Sequence, residues 1–171
     1  MNNQFQNIFW FIGILIFQLF IIDAIDIGIY SSYFTPIIFS FFILKQRLET
    51  TVFKLLLLAF LMGMTIDIFR NTLGLNTSVL LLLAILRSKF LVIISSKDEF
   101  ESGLELNLFT LGLGRYIVYF GLSILFHHFL FFLVEQFSFV NILTLIFRSL
   151  VNTVFALLLL ALFQYAIIPK K

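Results

Sequence analysis

Long stretches of the chain contain no charged side chain at all. Among them are residues 116–134 and 149–168, in which Leu, Ile, Phe and Val dominate. An α-helix needs roughly 20 apolar residues to cross a bilayer core of about 30 Å. Within that core each backbone N–H and C=O has to find its partner inside the protein, which favours helices. These stretches therefore predict membrane-spanning helices.

The rest of the composition leaves no material for a soluble domain. Hydrophobic residues make up 61% of the 171 positions and charged residues 12%, against about 45–50% and about 25% in soluble domains. We therefore expect an all-α, polytopic membrane fold, with residues 1–171 forming one integral membrane domain. About six spans are predicted, over residues 8–22, 34–44, 52–69, 78–94, 115–134 and 141–168.

Several classes of function are disfavoured by residue content. The chain has no cysteine, which excludes disulfides, thiol catalysis and cysteine-ligated metals. Its net charge of +2 gives no indication of nucleic-acid binding. The N-terminus lacks the basic residues of a signal peptide, so the first apolar run is interpreted as a retained span.

The distribution of Lys and Arg predicts the orientation. Loops on the cytoplasmic side of a membrane carry the excess of basic residues. One set of span ends carries two basic residues, Arg70 and Arg148, and the other set carries eight: Lys45, Arg47, Lys54, Arg87, Lys89, Lys97, Lys170 and Lys171. We therefore predict a multi-pass membrane protein with both termini in the cytoplasm.

The most polar turn between two apolar runs lies between the third and fourth spans. Asp67 follows Lys54 by only about 20 Å of helix, so this turn is predicted to lie below the membrane surface. Its glycine, Gly74, suits a left-handed helix cap. The sequence leaves two interpretations open, a well-capped helical hairpin or a polar pocket or partner contact. The candidate residues are Asp67, Arg70, Asn71, Gly74, Asn76 and Arg87.

Arg87 has two interpretations of its own. It can mark the cytoplasmic end of the fourth span, or it can form an ion pair with Asp67 inside the membrane. Asp67 itself is expected to reach Arg70 or Asn71 at helical spacing.

Other polar side chains fall within or at the ends of apolar runs, where they are costly and usually face protein. We expect the amide and histidine side chains among them to form hydrogen bonds between helices, whereas Glu135 is expected to open the turn after the fifth span. Adjacent histidines point about 100° apart on a helix, so His127 and His128 are a poor pair of ligands for one metal. No catalytic, cofactor or metal site is predicted. The residues of this group are Gln18, His127, His128, Glu135 and Asn152.

The chain resembles the rod shape-determining protein MreD family in its Bacteroidetes-like form, over nearly its full length. The most specific part runs from Gly63 to Arg87, with the pattern G-x-x-x-D-I-F-R-N-T-L-G-L-N-T followed by an apolar run ending in L-R. The stretch from His127 to Phe139 also matches, as do Gln18 and the short loop before Pro36. The family often has proline after the arginine, where this chain has Ser88.

The resemblance implies a location in the bacterial inner membrane and a non-enzymatic role in the elongation (rod) complex that builds the lateral cell wall. It implies binding to a bitopic MreC-like protein, and through that protein to actin-like MreB, a glycan polymerase and a transpeptidase. The family's fold is similar to the substrate-binding subunits of energy-coupling-factor transporters. That similarity supplies an alternative function, a vitamin-like binding subunit of a transporter.

Overall fold

The computed structural model describes residues 3–25, 28, 33–94, 103–137 and 141–167. The described chain is helical, and five of its helices are long and apolar enough to cross a membrane. The all-α, multi-pass fold is therefore confirmed, while the membrane compartment and the orientation stay predictions. The helices are α1 (Asn3–Ile16, continued as a π-helix over Phe17–Ile22), α2 (Phe41–Leu44), α3 (Val52–Arg70), α4 (Leu75–Ile94), α5 (Leu108–Gln136) and α6 (Ile142–Ile167).

Helices α3, α4, α5 and α6 pack as successive neighbours along the chain. Helices α3 and α4 approach each other closely at Gly63, where an added Cβ would lie 2.5 Å from the Cα of Thr77. Such small residues let helix backbones approach each other in membranes. The outward faces carry large apolar side chains, for example Phe53 and Leu143. Lipid solvates these faces, so the helices need no polar side.

The predicted second span is wrong as a helix over 34–44. Residues 34–38 have no regular secondary structure, a turn follows, and only the single turn of α2 is helical. Pro36 explains part of this, because it lacks an N–H and disfavours helical backbone in the residue before it. The chain from Pro36 to Gln46 is nevertheless buried. We call residues 33–46 the core segment.

The core segment passes from one end of the bundle to the other. Near its start, the N–H of Thr35 donates to Asn152 on α6 at 2.8 Å. At its end, the C=O of Lys45 accepts from the N–H of Leu106, just before α5, at 3.2 Å. Because α5 and α6 are antiparallel and Asn152 is nearer the start of α6, these contacts lie toward opposite ends. A largely non-helical chain thus occupies the centre of the bundle.

Three helix starts differ from those predicted. Helix α1 begins at Asn3, before residue 8, α4 begins at Leu75, before residue 78, and α5 begins at Leu108, before Arg115. The early start of α5 has a local cause, since Asn107 and Thr110 form a reciprocal capping box that satisfies free N–H groups at a helix start. Gly112 then kinks this helix with a φ of 71°. Residue 168, the predicted end of the last span, lies outside the described residues.

Candidate functional site

The carboxylate of Asp67 caps helix α4 from the neighbouring helix α3. Its Oδ1 accepts from the Asn76 N–H at 3.0 Å, and its Oδ2 accepts from the Thr77 N–H at 2.9 Å. Side chains add three more donors, from the Thr72 hydroxyl, the Asn76 amide and the Thr77 hydroxyl. The carboxylate therefore satisfies N–H groups that have no partner within α4. It also lies where the helix dipole favours negative charge.

The turn between α3 and α4 differs in detail from the prediction. The left-handed C-cap of α3 is Asn71, with φ 55°, and its N–H donates to the C=O of Asp67. Gly74 also has positive φ, at 89°, but it precedes α4 and does not cap α3. The Asp67 carboxylate bonds to Thr72, Asn76 and Thr77, so the expected side-chain contact with Arg70 or Asn71 is wrong. The turn is therefore a well-capped helical hairpin, which was one of the two interpretations that the sequence left open.

Arg70 connects this hairpin to α1. Its Nε donates to Oδ2 of Asp23 at 2.7 Å and its Nη2 to Oδ1 at 2.5 Å, the bidentate geometry that makes Arg–carboxylate pairs strong. Its Nη1 also reaches the Asn76 side chain at 3.4 Å. Asp23 in turn accepts from Gln18 Nε2 at 2.8 Å. A continuous polar network therefore joins α4, α3 and α1 at this end of the bundle.

Asp23 was not among the predicted site residues. Asp23 and Asp26 follow the first predicted span, and the sequence predicts only that they cap its end. Asp26 lies outside the described residues. Charge is the sequence signal that could have identified Asp23. Asp23 and Arg70 carry opposite charges, and both follow apolar runs that are predicted to end on the same side of the membrane. Complementary charges at the same depth favour pairing. Their separation by 47 positions means that only the tertiary fold fixes the partner.

Three predicted polar residues from three helices bind the backbone of the core segment. Gln18 accepts from the N–H of Ile38 at 2.8 Å and donates to the C=O of Pro36 at 3.2 Å. Asn152 accepts from the N–H of Thr35 and donates to the C=O of Tyr33, both at 2.8 Å. The expected bonds between helices are therefore wrong for these two side chains. They satisfy non-helical backbone, which survives at membrane depth only when protein satisfies it.

His128 holds the same segment, and its contacts define its tautomer. Its Nε2 lies 2.9 Å from the N–H of Ile37, so this nitrogen must accept. Its Nδ1 lies 3.0 Å from the C=O of Ile124, so that nitrogen carries the proton and donates. The Thr153 hydroxyl, on α6, lies 3.3 Å from the same Nδ1. His128 is therefore neutral and oriented by its own helix.

His127 differs from its neighbour. It is fully buried, and neither ring nitrogen has a hydrogen-bond partner among the described residues. Its ring packs edge-on against Phe39, with centroids 5.5 Å apart. The expectation of a hydrogen bond between helices is thus wrong for His127. The two histidine rings point to different neighbours, as their spacing predicted.

Arg87 lies at the other end of the core segment. It is 2% exposed and donates to the C=O of Gln46 and, at 3.2 Å, to the C=O of Arg47. Its Nε donates to the Tyr119 hydroxyl at 3.2 Å, which donates to the C=O of Leu44 at 3.1 Å. The alternative of an ion pair with Asp67 is therefore wrong. Arg87 satisfies the carbonyls at the end of α2, where a cation is favourable.

Glu135 belongs to neither of these groups. It accepts from Arg148 Nη1 at 3.0 Å and is partly exposed. This ion pair joins the end of α5 to the beginning of α6, and it adds a tertiary link near the membrane surface.

A cavity of about 610 Å³ forms a groove between α3 and α4, next to the Asp67 cluster. Its walls are mostly apolar and partly exposed, with Phe60, Met64 and Ile68 on α3. Its polar end carries Asp67 and Thr77, whose polar atoms are already hydrogen-bonded to each other. The groove therefore has the chemistry of an apolar contact surface with a small polar end.

Comparison of the chain with protein-family models, with curated proteins and with solved structures gave no match.

Proposed function

We propose that this protein is a non-enzymatic membrane component of the bacterial elongation complex, supporting cell shape and lateral peptidoglycan synthesis by binding a bitopic MreC-like protein. The family resemblance of the sequence supplies the biological setting. The observation that carries the proposal is how the buried polar groups are used. Gln18, His128, Asn152 and Arg87 all bind the protein's own backbone. These four side chains therefore act as structural supports of the fold.

A scaffold of this kind needs a surface for the partner's transmembrane helix. The groove between α3 and α4 is the described surface that fits best, because it is apolar and faces lipid. It extends along α3 from Phe60 to the turn at Leu73. An apolar helix packs in membranes by close van der Waals contact. We therefore assign the groove to the partner's single transmembrane helix.

Co-purification with the MreC-like protein from native membranes tests this assignment. Met64→Trp fills the groove, so we expect the amount of partner recovered to fall at least about tenfold, which is about 1.4 kcal/mol of binding free energy. Leu143→Trp, on the lipid-facing side of α6, is the matched control and should leave recovery unchanged. Undiminished recovery with Met64→Trp contradicts the groove assignment. Absence of any bitopic partner from the wild type contradicts the proposed function.

The alternative, a vitamin-like binding subunit of a transporter, is favoured by one observation. Transporters often bind ligands at broken helices near the membrane midplane, and the core segment is a broken span with helix only over Phe41–Leu44. Against it, side chains of this protein already accept hydrogen bonds from the N–H groups of Thr35, Ile37 and Ile38 in that segment. Vitamin uptake by proteoliposomes with an ATPase module, together with normal rod shape on depletion, would select the alternative.

A further inference from the structure

A second, more polar cavity lies where α5 ends and α6 begins. Its volume is about 260 Å³. Its walls include the side chains of Tyr33, Asn141, Thr144 and Arg148, which together offer hydroxyl, amide and guanidinium groups. This lining differs from the apolar groove between α3 and α4, and it indicates a polar guest.

Arg148 is the cationic group of this cavity, and its guanidinium is held in place on two sides. It stacks over the ring of Phe132, 3.9 Å from the ring centroid, and its Nη1 donates to Glu135. Its Nε is buried and has no hydrogen-bond partner among the described residues. The side chain also lines the cavity, so an oriented guanidinium presents its positive charge to a guest there. A guanidinium has five N–H donors, so donors besides the one bonded to Glu135 can serve an anionic oxygen.

The charges beside the cavity narrow the class of guest. Glu135 lies against Arg148 and is the more exposed member of the pair. One fixed cation and one fixed anion side by side match a guest that carries both charges. Arginine favours phosphate because its planar donors fit phosphate oxygens, and a carboxylate favours an ammonium group.

The position of the cavity fits the headgroup layer of a membrane. Arg148 lies in the second turn of α6, and helical side chains tilt toward the helix N-terminus, which here is the membrane surface. We propose that this cavity binds the zwitterionic headgroup of phosphatidylethanolamine, with the phosphate at Arg148 and the ammonium at Glu135. This lipid site is independent of the partner groove and of the proposed function.

Thermal unfolding of the delipidated full chain in detergent tests the site. We expect added phosphatidylethanolamine to raise the midpoint by about 5 °C near saturation, and phosphatidylglycerol to raise it less. Arg148→Gln should remove the phosphatidylethanolamine shift. Glu135→Gln should make the shifts from the two lipids equal. Lys89→Gln, an exposed cation in the last turns of α4, is the control and should keep the wild-type shifts.

Three outcomes overturn the proposal. The first is an undiminished phosphatidylethanolamine shift in Arg148→Gln or, if that variant does not fold, in Arg148→Lys, which keeps the charge but loses the planar donors. The second is an equal response of the wild type to both lipids, which assigns a phosphate site without an ammonium partner. The third is the same shift with inorganic phosphate alone, which removes the lipid from the assignment.

Discussion

The cap that Asp67 provides for α4 makes the most direct quantitative prediction. In Asp67→Asn, one carboxylate oxygen becomes an NH2 group that donates and cannot accept. Placed at the Oδ2 position, this group faces the backbone N–H of Thr77, which cannot rotate away. Placed at the Oδ1 position, it faces the backbone N–H of Asn76 instead. At least one buried N–H therefore loses its acceptor in either orientation.

The expected loss of stability adds two contributions. Leaving one buried N–H unpaired costs about 1–3 kcal/mol, and losing the negative charge at the start of α4 costs about 0.3–1 kcal/mol. We therefore expect Asp67→Asn to lower the free energy of unfolding by about 1–4 kcal/mol, from the sum of these ranges. Asp67→Ala removes both acceptors and should cost more. Denaturant unfolding in mixed micelles, followed by circular dichroism, measures both changes.

A matched control comes from Glu49. This exposed carboxylate also accepts from a backbone N–H, that of Gly103 at 2.7 Å, but at a hydrated surface where water can replace it. Glu49→Gln should change stability by no more than about 0.5 kcal/mol. If Asp67→Asn also stays within that range, the carboxylate is not the cap that holds α4, and the reasoning fails.

Three further predictions concern other parts of the fold. Gly74→Ala places a side chain at a φ of 89° and should lower the free energy of unfolding by about 1–2 kcal/mol. Gly13→Ala, inside helix α1 with free space around it, should raise that free energy by up to about 1 kcal/mol. Equal effects of the two substitutions in denaturant unfolding would contradict the turn geometry. His128→Leu should cost about 1–3 kcal/mol because a core-segment N–H loses its acceptor, whereas His127→Leu should be neutral or stabilising, and the reverse order would refute the assigned contacts. A single cysteine at Lys54 should resist an impermeant reagent in intact spheroplasts, and labelling there would reverse the predicted orientation.

The membrane class and the principal helices could be predicted from sequence because lipid acts on each apolar run separately. A run of about 20 apolar residues is stable as a spanning helix whatever its neighbours are. The hairpin was found for a similar local reason. Asp67, Asn71 and Asn76 interrupt an apolar pattern within a few residues of one another, and their partners lie in the same short stretch.

Only the tertiary structure decided how the core segment crosses the bundle. Hydropathy reports that residues such as Ile37 and Phe41 avoid water, and that holds equally for a helix and for an extended chain enclosed by protein. The choice between these two conformations depends on which groups form hydrogen bonds with the backbone N–H and C=O groups. Here the acceptors and donors come from Gln18, His128 and Asn152, up to 119 positions away from their partners. A buried backbone group has to find a partner somewhere, and when that partner is a distant side chain, only the assembled fold brings the two together.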